Sequence, residues 1–185
     1  MRLRKLLFST VVVCLAATAY AAPALAEEAS SRDTTREKLR TLLADVGKRS
    51  DVNAEFRQST KQPYNFVASM DGFANADSLE VVISVTQSDT IGFRVYPHFN
   101  GGYINIDKAK NGPALMRQLL HYSDTNFLYW GADSTNDVFC GYTFTLESGF
   151  PPEALTVVLR SIRGTDRFVG ELRQYIDGSA AGNVK

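Results

Sequence analysis

The clearest strand signal in the chain is the stretch DVFCGYTFTLE, residues 137–147. Every second position carries an apolar side chain, and this spacing is typical of a β-strand with one face in the core. The positions assigned to the core are Val138, Cys140, Tyr142, Phe144 and Leu146. Because the alternation runs unbroken through the whole stretch, we expect this strand to lie at the centre of a sheet.

A long helix is predicted directly after this strand. Residues 148–149 (Ser-Gly) end the strand, and residues 151–153 (Pro-Pro-Glu) are typical of a first helical turn. Apolar residues then keep helical spacing to the end of the domain, at Leu155, Val158, Leu159, Ile162, Val169, Leu172 and Ile176. Gly164 interrupts this run, and glycine costs about 1 kcal/mol relative to alanine inside a helix, so we expect a kink there.

The remaining strands precede the central one. Residues 64–70, 79–85 and 91–97 alternate with a period of two and are separated by short polar turns, which predicts an antiparallel meander. Residues 125–131 form a further strand, joined to the central one by the polar turn 132–136. Residues 54–58 are a candidate for a short edge strand.

Two other helices complete the set of elements. Thr34 and Glu37 have the spacing of a capping box, and apolar residues follow at helical spacing until Gly47. Pro113 is well placed in the first turn of a middle helix. The apolar side of the first helix consists of Leu39, Leu42, Leu43 and Val46, and that of the middle helix of Leu115, Met116, Leu119 and Leu120.

The element order is therefore α-β-β-β-α-β-β-α, and the predicted fold class is α+β. Each amphipathic helix needs an apolar sheet face to cover, so we expect an antiparallel sheet of about five strands with helices packed on one face. The predicted single domain covers residues 34–177. A polar leader at residues 27–33 precedes it, and a flexible tail at residues 178–185 follows it.

The segment from the central strand into the last helix resembles the YbjN-like family. The resemblance lies in residues 145–150 (Thr-Leu-Glu-Ser-Gly-Phe) followed by Leu155, Val158, Leu159 and Ile162, and in element order it covers residues 34–176. Members of that family are described as candidate bacterial sensory transduction regulators, with a fold like that of type III secretion chaperones. The resemblance implies a protein that binds other proteins, and it provides no catalytic residues.

The N-terminus has the layout of a secretory signal peptide. Arg2, Arg4 and Lys5 precede an apolar run at residues 6–22, and the small-residue motif Ala-Leu-Ala ends at Ala26. We expect cleavage after Ala26 and a periplasmic or secreted product. A retained membrane anchor is the alternative, but polar residues interrupt a run that is already shorter than the ~20 apolar residues that span a bilayer. We therefore expect no stable membrane anchor once the signal has been removed.

Composition limits the classes of partner. Removing residues 1–26 from the 185 leaves 159, which fits one domain, and a net charge of −3, because three of the 20 basic residues and none of the 20 acidic residues are lost. No charge block is present that would attract nucleic acid. Cys14 leaves with the signal, so Cys140 has no partner for an internal disulfide.

The residue types that usually form catalytic or metal sites are sparse. His98 and His121 are the only histidines, and both fall at positions predicted to be polar surface. Cys140 is the remaining thiol, but its strand position places it in the core, where desolvation raises a thiol pKa. We therefore predict no catalytic residue, no metal site and no cofactor.

The most suggestive surface feature is aromatic. Phe127, Tyr129 and Phe139 fall opposite Leu128, Trp130 and Cys140 on their strands, so one set should be buried while part of the other is exposed. The competing interpretation is that helices or a partner subunit cover both faces. The hypothesis from the sequence is a non-enzymatic exported domain that binds a protein partner or forms a homodimer. Its candidate contact residues are Tyr96, Phe127, Tyr129 and Phe139.

The alternative hypothesis is a periplasmic small-ligand-binding protein or a hydrolase. Its site would form where His98, Asn100 and Tyr103 gather at a strand end. The support for this alternative is the clustering of polar and aromatic residues between positions 96 and 105.

Overall fold

The structure is a computed structural model that describes residues 22–88 and 90–182, with side chains from Ser31 onward. Four helices, one 3₁₀ turn and seven strands make up these residues. In chain order they are α1 (Ala22–Val46), β1 (Arg57–Gln58), β2 (Asn65–Met70), β3 (Ser78–Val85), β4 (Thr90–Phe99), β5 (Gly102–Tyr103), α2 (Gly112–Thr125), β6 (Tyr129–Ala132), β7 (Val138–Thr145), α3 (Pro152–Ser161), the 3₁₀ turn (Ile162–Thr165) and α4 (Asp166–Ile176).

The strands form one antiparallel sheet with the order β1-β2-β3-β4-β7-β6, and β5 pairs with the end of β4. The predicted α+β class is confirmed, as is the interior position of β7, which pairs with both β4 and β6. The strand count is seven rather than about five. The difference comes mainly from two-residue strands: β5 was not predicted, and β1 lies within the candidate edge strand at residues 54–58.

One face of the sheet lies against the helices. In β3 every second residue is fully buried and the residues between are half-buried, as expected when helices cover a single face. The core combines inward-facing strand residues with residues of all four helices. Its members include Val81, Ile83, Phe93, Val95 and Cys140 from the sheet, and Leu39, Leu43, Leu115, Leu119, Leu155 and Leu172 from the helices.

The outer edge of β6 is closed by a side chain of α2. The backbone N–H of Trp130 donates to the Ser123 hydroxyl at 2.7 Å, and that hydroxyl oxygen lies 3.0 Å from the Trp130 carbonyl oxygen. Ser123 thus occupies the backbone groups that an added strand would use, and exposed edges of this kind are otherwise sites of intermolecular pairing. Sheet extension at this position is therefore blocked.

The first helix begins well before the predicted start at Thr34. Arg32 donates two hydrogen bonds to the Val85 carbonyl, at 3.0 and 2.7 Å, and its guanidinium lies 3.5 Å from the centre of the Tyr64 ring. The Tyr64 hydroxyl donates to Asp33 at 3.0 Å. These contacts attach the end of the predicted leader, residues 27–33, to the sheet. The capping-box spacing at Thr34 was misleading because the helix continues through it.

The predicted signal peptide, residues 1–26, lies outside the described residues as far as position 21. The predicted cleavage point after Ala26 falls within the first turns of α1. No helix among residues 22–88 and 90–182 combines the length and apolar composition that a bilayer crossing requires. The predicted tail is described to Gly182, whose backbone N–H donates to the Gly170 carbonyl at 2.8 Å.

The last predicted helix is divided where the kink was expected. Ile162–Thr165 form a 3₁₀ turn that includes Gly164 and separates α3 from α4. The Thr165 hydroxyl donates to the Ile162 carbonyl at 2.7 Å, which supports the tighter turn. The helix predicted from residue 152 to residue 176 is therefore two helices joined by a tighter turn.

Cys140 should be unreactive while the protein is folded. Its side chain is fully buried, and desolvation raises the pKa of the thiol to about 12, so the thiolate needed for alkylation is almost absent at pH 8. In a Cys14→Ser variant we expect no labelling by a thiol reagent at pH 8 in buffer and complete labelling in denaturant. Rapid labelling of the folded protein would contradict the burial of β7.

Candidate functional site

The sheet face that points away from the helices is the candidate site, and we call it the open face. Strand register places its residues side by side: Glu80 lies opposite Tyr96, and Gly141 lies between Arg94 and Tyr129. Its members include Glu80, Arg94, Tyr96, His98, Tyr103, Tyr129, Phe139 and Gly141. They come from five strands, so the sheet itself positions them.

Four aromatic rings form a continuous cluster on the open face. Tyr96 is at its centre, with its ring centroid 5.7 Å from those of both Tyr103 and Phe139, and Phe139 lies 5.9 Å from Tyr129. Phe139 is only 6% exposed, whereas Tyr103 and Tyr129 are 42% and 41% exposed. The cluster thus has a buried base and two outer rings that are open to solvent.

The Tyr129 ring lies across a glycine. A Cβ atom placed on Gly141 would come within 2.8 Å of both Cζ and the hydroxyl oxygen of Tyr129. Only a residue without a side chain lets the ring approach the backbone of β7 this closely. Covering a strand glycine with an aromatic ring restores packing that the glycine lacks.

Arg94 adds a cation to the cluster. Its guanidinium lies 4.7 Å from the centre of the Phe139 ring and donates a hydrogen bond to the Tyr96 hydroxyl at 3.4 Å. That hydrogen bond is the main reason why the pKa of Arg94 is raised above its ordinary value. The open face therefore carries a permanent positive charge beside exposed aromatic surface, a combination typical of protein interfaces.

Glu80 and His98 form a second polar group, next to the Tyr103 ring of the cluster. The Tyr103 hydroxyl donates to Glu80 Oε2 at 2.9 Å, and His98 Nε2 lies 3.9 Å from the same oxygen. Burial, followed by the hydrogen bond to Glu80, raises the pKa of Tyr103 to about 12, so this phenol stays protonated at neutral pH. The arrangement orients the Tyr103 ring and keeps it neutral.

The alternative site at His98 is assembled only in part. His98 and Tyr103 are in ring contact, with centroids 4.4 Å apart. Asn100 instead donates to Asp177 at 3.1 Å, because the left-handed backbone at Asn100 turns the chain towards the end of α4. The predicted gathering of His98, Asn100 and Tyr103 is therefore wrong for Asn100.

Three of the four predicted contact residues, Tyr96, Tyr129 and Phe139, meet on the open face. Phe127 does not: its ring lies 6.0 Å from that of Tyr142, on the helix side of the sheet. The strand alternation does not extend back to Phe127, because β6 begins only at Tyr129. Sequence reasoning assigned Tyr103 only to the alternative site, since β5 is two residues long and consists of Gly102 and Tyr103.

The structure also leaves apolar residues of α2 exposed. Leu115 and Leu119 are buried as predicted, but Met116 and Leu120 are 49% and 65% exposed. The apolar stripe of this helix is thus wider than the surface that the sheet covers. These two side chains form a second, smaller apolar patch.

Within the part of the chain that the structure describes, no group of three or more His, Cys, Asp or Glu side chains is placed to hold a metal ion. The acidic turn after β6 has another role. Asp133 accepts hydrogen bonds from the backbone N–H groups of Thr135 and Asp137 at 2.9 and 3.1 Å. These bonds are ordinary turn chemistry.

The solved structures that resemble this chain include YbjN and the ExsC–ExsE complex. The crystal structure of YbjN, described as a candidate transcription regulator from E. coli, matches with 13% sequence identity and a TM-score of 0.45, over 72% of this chain and 86% of that chain. The ExsC–ExsE complex matches with 15% identity and a TM-score of 0.45, over 78% of this chain and 98% of that chain. The first of these structures bears the name of the family that residues 145–162 resemble. No family model matches the sequence, and no curated protein matches it significantly.

Proposed function

We propose that this chain is an exported, non-enzymatic domain that binds another protein through the open face. The observation that carries the proposal is the aromatic cluster, in which Tyr103 and Tyr129 are each more than 40% exposed although they pack on a buried base. Tyrosines in this position contribute large contact areas at low entropic cost, and they are enriched among the residues that dominate interface energies. The signal-peptide pattern at residues 1–26 supports export.

The charges around the cluster support binding rather than proton transfer. Arg94 precedes Tyr96 by two positions on β4, Glu80 lies opposite Tyr96 on β3, and the two charges give the open face a polar rim. The titratable phenol of Tyr103 is held neutral, and the Glu80 carboxylate accepts its hydrogen bond. A rim of this kind selects partners by charge while the rings supply the contact area.

Removing one exposed ring is expected to weaken the complex. A Tyr129→Ala substitution should reduce affinity roughly 30-fold, equivalent to about 2 kcal/mol for an aromatic anchor, because the ring contributes exposed area over a fixed base. Light scattering first establishes whether the protein is a monomer or an assembly of its own copies. Calorimetry with the partner recovered from envelope extract then gives the affinity.

The matched control is Val157→Ala. Val157 is 61% exposed on α3, so this substitution removes exposed apolar surface that lies outside the open face. We expect wild-type affinity and an unchanged melting temperature for Val157→Ala. Tyr129→Ala also loses the packing of its ring on Gly141 and Phe139, so its affinity is measured at a temperature at which the variant is folded. A protein that is strictly monomeric and retains no partner under any stress condition would refute the proposal, as would equal weakening by the two substitutions.

A further inference from the structure

A cavity of about 330 Å³ lies on the helix side of the sheet, apart from the open face. It is formed where the 3₁₀ turn between α3 and α4 meets the start of β6. The lining residues that matter here are Phe127, Leu128, Trp130, Gly164, Arg167 and Phe168. Its volume falls at the lower end of the range of small-molecule sites.

Three aromatic rings line the cavity, and two of them are buried. Trp130 is 4% exposed and packs edge-to-face on Phe168, with ring centroids 5.4 Å apart. Phe127 is 56% exposed and lies at the mouth. Such a site favours an apolar body in a ligand, since burial of apolar area drives entry.

Two groups at the cavity still have hydrogen-bonding capacity. Trp130 Nε1 is buried and has no hydrogen-bond partner within residues 22–88 and 90–182, and a buried donor left unpaired raises the free energy of the folded state. The Arg167 guanidinium lies over the Phe168 ring, 4.5 Å from its centre, and among the described residues it has neither a carboxylate nor a hydrogen-bond acceptor.

The hydroxyl donors nearby are already used. The Ser161 hydroxyl donates to the Val158 carbonyl, and the Thr165 hydroxyl donates to the Ile162 carbonyl, both at 2.7 Å. Among the lining residues, the Arg167 guanidinium and the Trp130 indole N–H are therefore the side-chain donors that find no acceptor in the described part of the chain. We infer that the cavity binds a small monocarboxylate with an apolar body, whose carboxylate is held by Arg167 and whose body lies against Trp130 and Phe168.

A carboxylate of this description has two sources, a free organic acid and the C-terminal residue of a polypeptide. Octanoate represents the first and N-acetylphenylalanine the second. Octanol and N-acetylphenylalaninamide keep the same apolar bodies without the charge. Comparing each acid with its neutral analogue isolates the contribution of the carboxylate.

Trp130 is the only tryptophan of the chain, so its fluorescence reports directly on the cavity. We expect saturable fluorescence changes on titration with at least one of the two acids and about tenfold weaker binding of the matching neutral analogue. Arg167→Gln should weaken binding of that acid about tenfold and leave the neutral analogue unchanged. Saturation by octanoate alone assigns the site to free acids, and saturation by N-acetylphenylalanine alone assigns it to polypeptide ends.

Gly164→Phe provides a steric test. A Cβ atom added at Gly164 meets no atom of the described residues within 4 Å, so the position has room for a side chain, and because Gly164 lines the cavity we expect the phenyl ring to fill it. Gly92→Phe is the matched control, because a Cβ atom at Gly92 also meets nothing within 4 Å and the residue lies in β4, away from the cavity. We expect Gly164→Phe to abolish acid binding and Gly92→Phe to preserve it.

Three results would overturn the inference: no saturable change with either acid, equal affinity for acid and neutral analogue, or unchanged binding in Gly164→Phe. Each of these can occur while Tyr129→Ala still weakens the protein complex. The cavity proposal and the open-face proposal can therefore fail independently of each other.

Discussion

Replacing Gly141 by alanine is expected to lower the free energy of unfolding by about 3 kcal/mol, the upper part of the range for overpacked sites. The added Cβ would lie 2.6 Å from the Phe93 carbonyl oxygen and 2.8 Å from the Tyr129 ring. The tyrosine can rotate away, but the carbonyl belongs to β4, which pairs with β7 over six registered positions. Relief of the clash therefore requires movement of two interior strands. Urea denaturation measures the loss.

The control for this substitution is Gly92→Ala. Gly92 lies on the neighbouring strand, and a Cβ atom there meets nothing within 4 Å, so we expect a stability within about 0.5 kcal/mol of wild type. The double variant Gly141→Ala with Tyr129→Ala separates the two contacts. If the backbone contact dominates, removing the ring will restore little stability. Equal stability of Gly141→Ala and Gly92→Ala would show that the strands move apart readily.

The burial pattern of β7 could be predicted from sequence, whereas the role of its glycine could not. Alternation is a local property: Val138 and Cys140 face the core because every second residue of a strand does. The constraint on Gly141 depends on the register with β4 and on a ring from β6. The pattern of a single sequence contains neither the strand register nor the position of that ring.

Strand alternation also predicted which face of the sheet a side chain lies on better than it predicted how deeply that side chain is buried. Tyr142 has the predicted orientation, but it is only half-buried, because the core thins towards the end of β7, where Phe144 and Phe127 are its ring neighbours. On α2, the apolar spacing gave no indication that the covered surface ends between Leu119 and Leu120. How far helices cover a face depends on their packing, which spacing along one element does not specify.

Strand alternation predicted those residues of the open face that lie within the predicted strands. Tyr129 and Phe139 follow directly from the strands that contain Trp130 and Cys140, and their meeting with Tyr96 needs only the pairing of neighbouring strands. The cavity was not predictable. It depends on the 3₁₀ turn at Gly164, which brings Arg167 and Phe168 to the start of β6. A sequence can indicate that a helix breaks, but not what the break places together.

Replacing Asp166 by alanine is expected to lower the free energy of unfolding by about 3 kcal/mol, because it leaves buried donors without partners. One carboxylate oxygen accepts the backbone N–H groups of Asn75 and Ala76 at 3.0 and 2.8 Å, and the other accepts the Ala74 N–H and the Asn75 side-chain amide, both at 3.2 Å. Asn75 and Ala76 are each only 6% exposed, so water cannot readily replace these bonds.

The two ends of this contact are about 90 residues apart, so Asp166 attaches the loop between β2 and β3 to the start of α4.

Two further variants test this role of Asp166 by urea denaturation. Asp166→Asn keeps an acceptor oxygen and should lose less stability than Asp166→Ala. Asp51→Ala, which removes a half-buried carboxylate that pairs with Arg49 and Arg160, should change stability much less than either. Hydrogen exchange should rise at residues 74–76 in Asp166→Ala. If exchange there is unchanged, the loop is held by its other contacts, among them the 2.8 Å hydrogen bond from Arg173 to the Asn75 carbonyl, and Asp166 is dispensable.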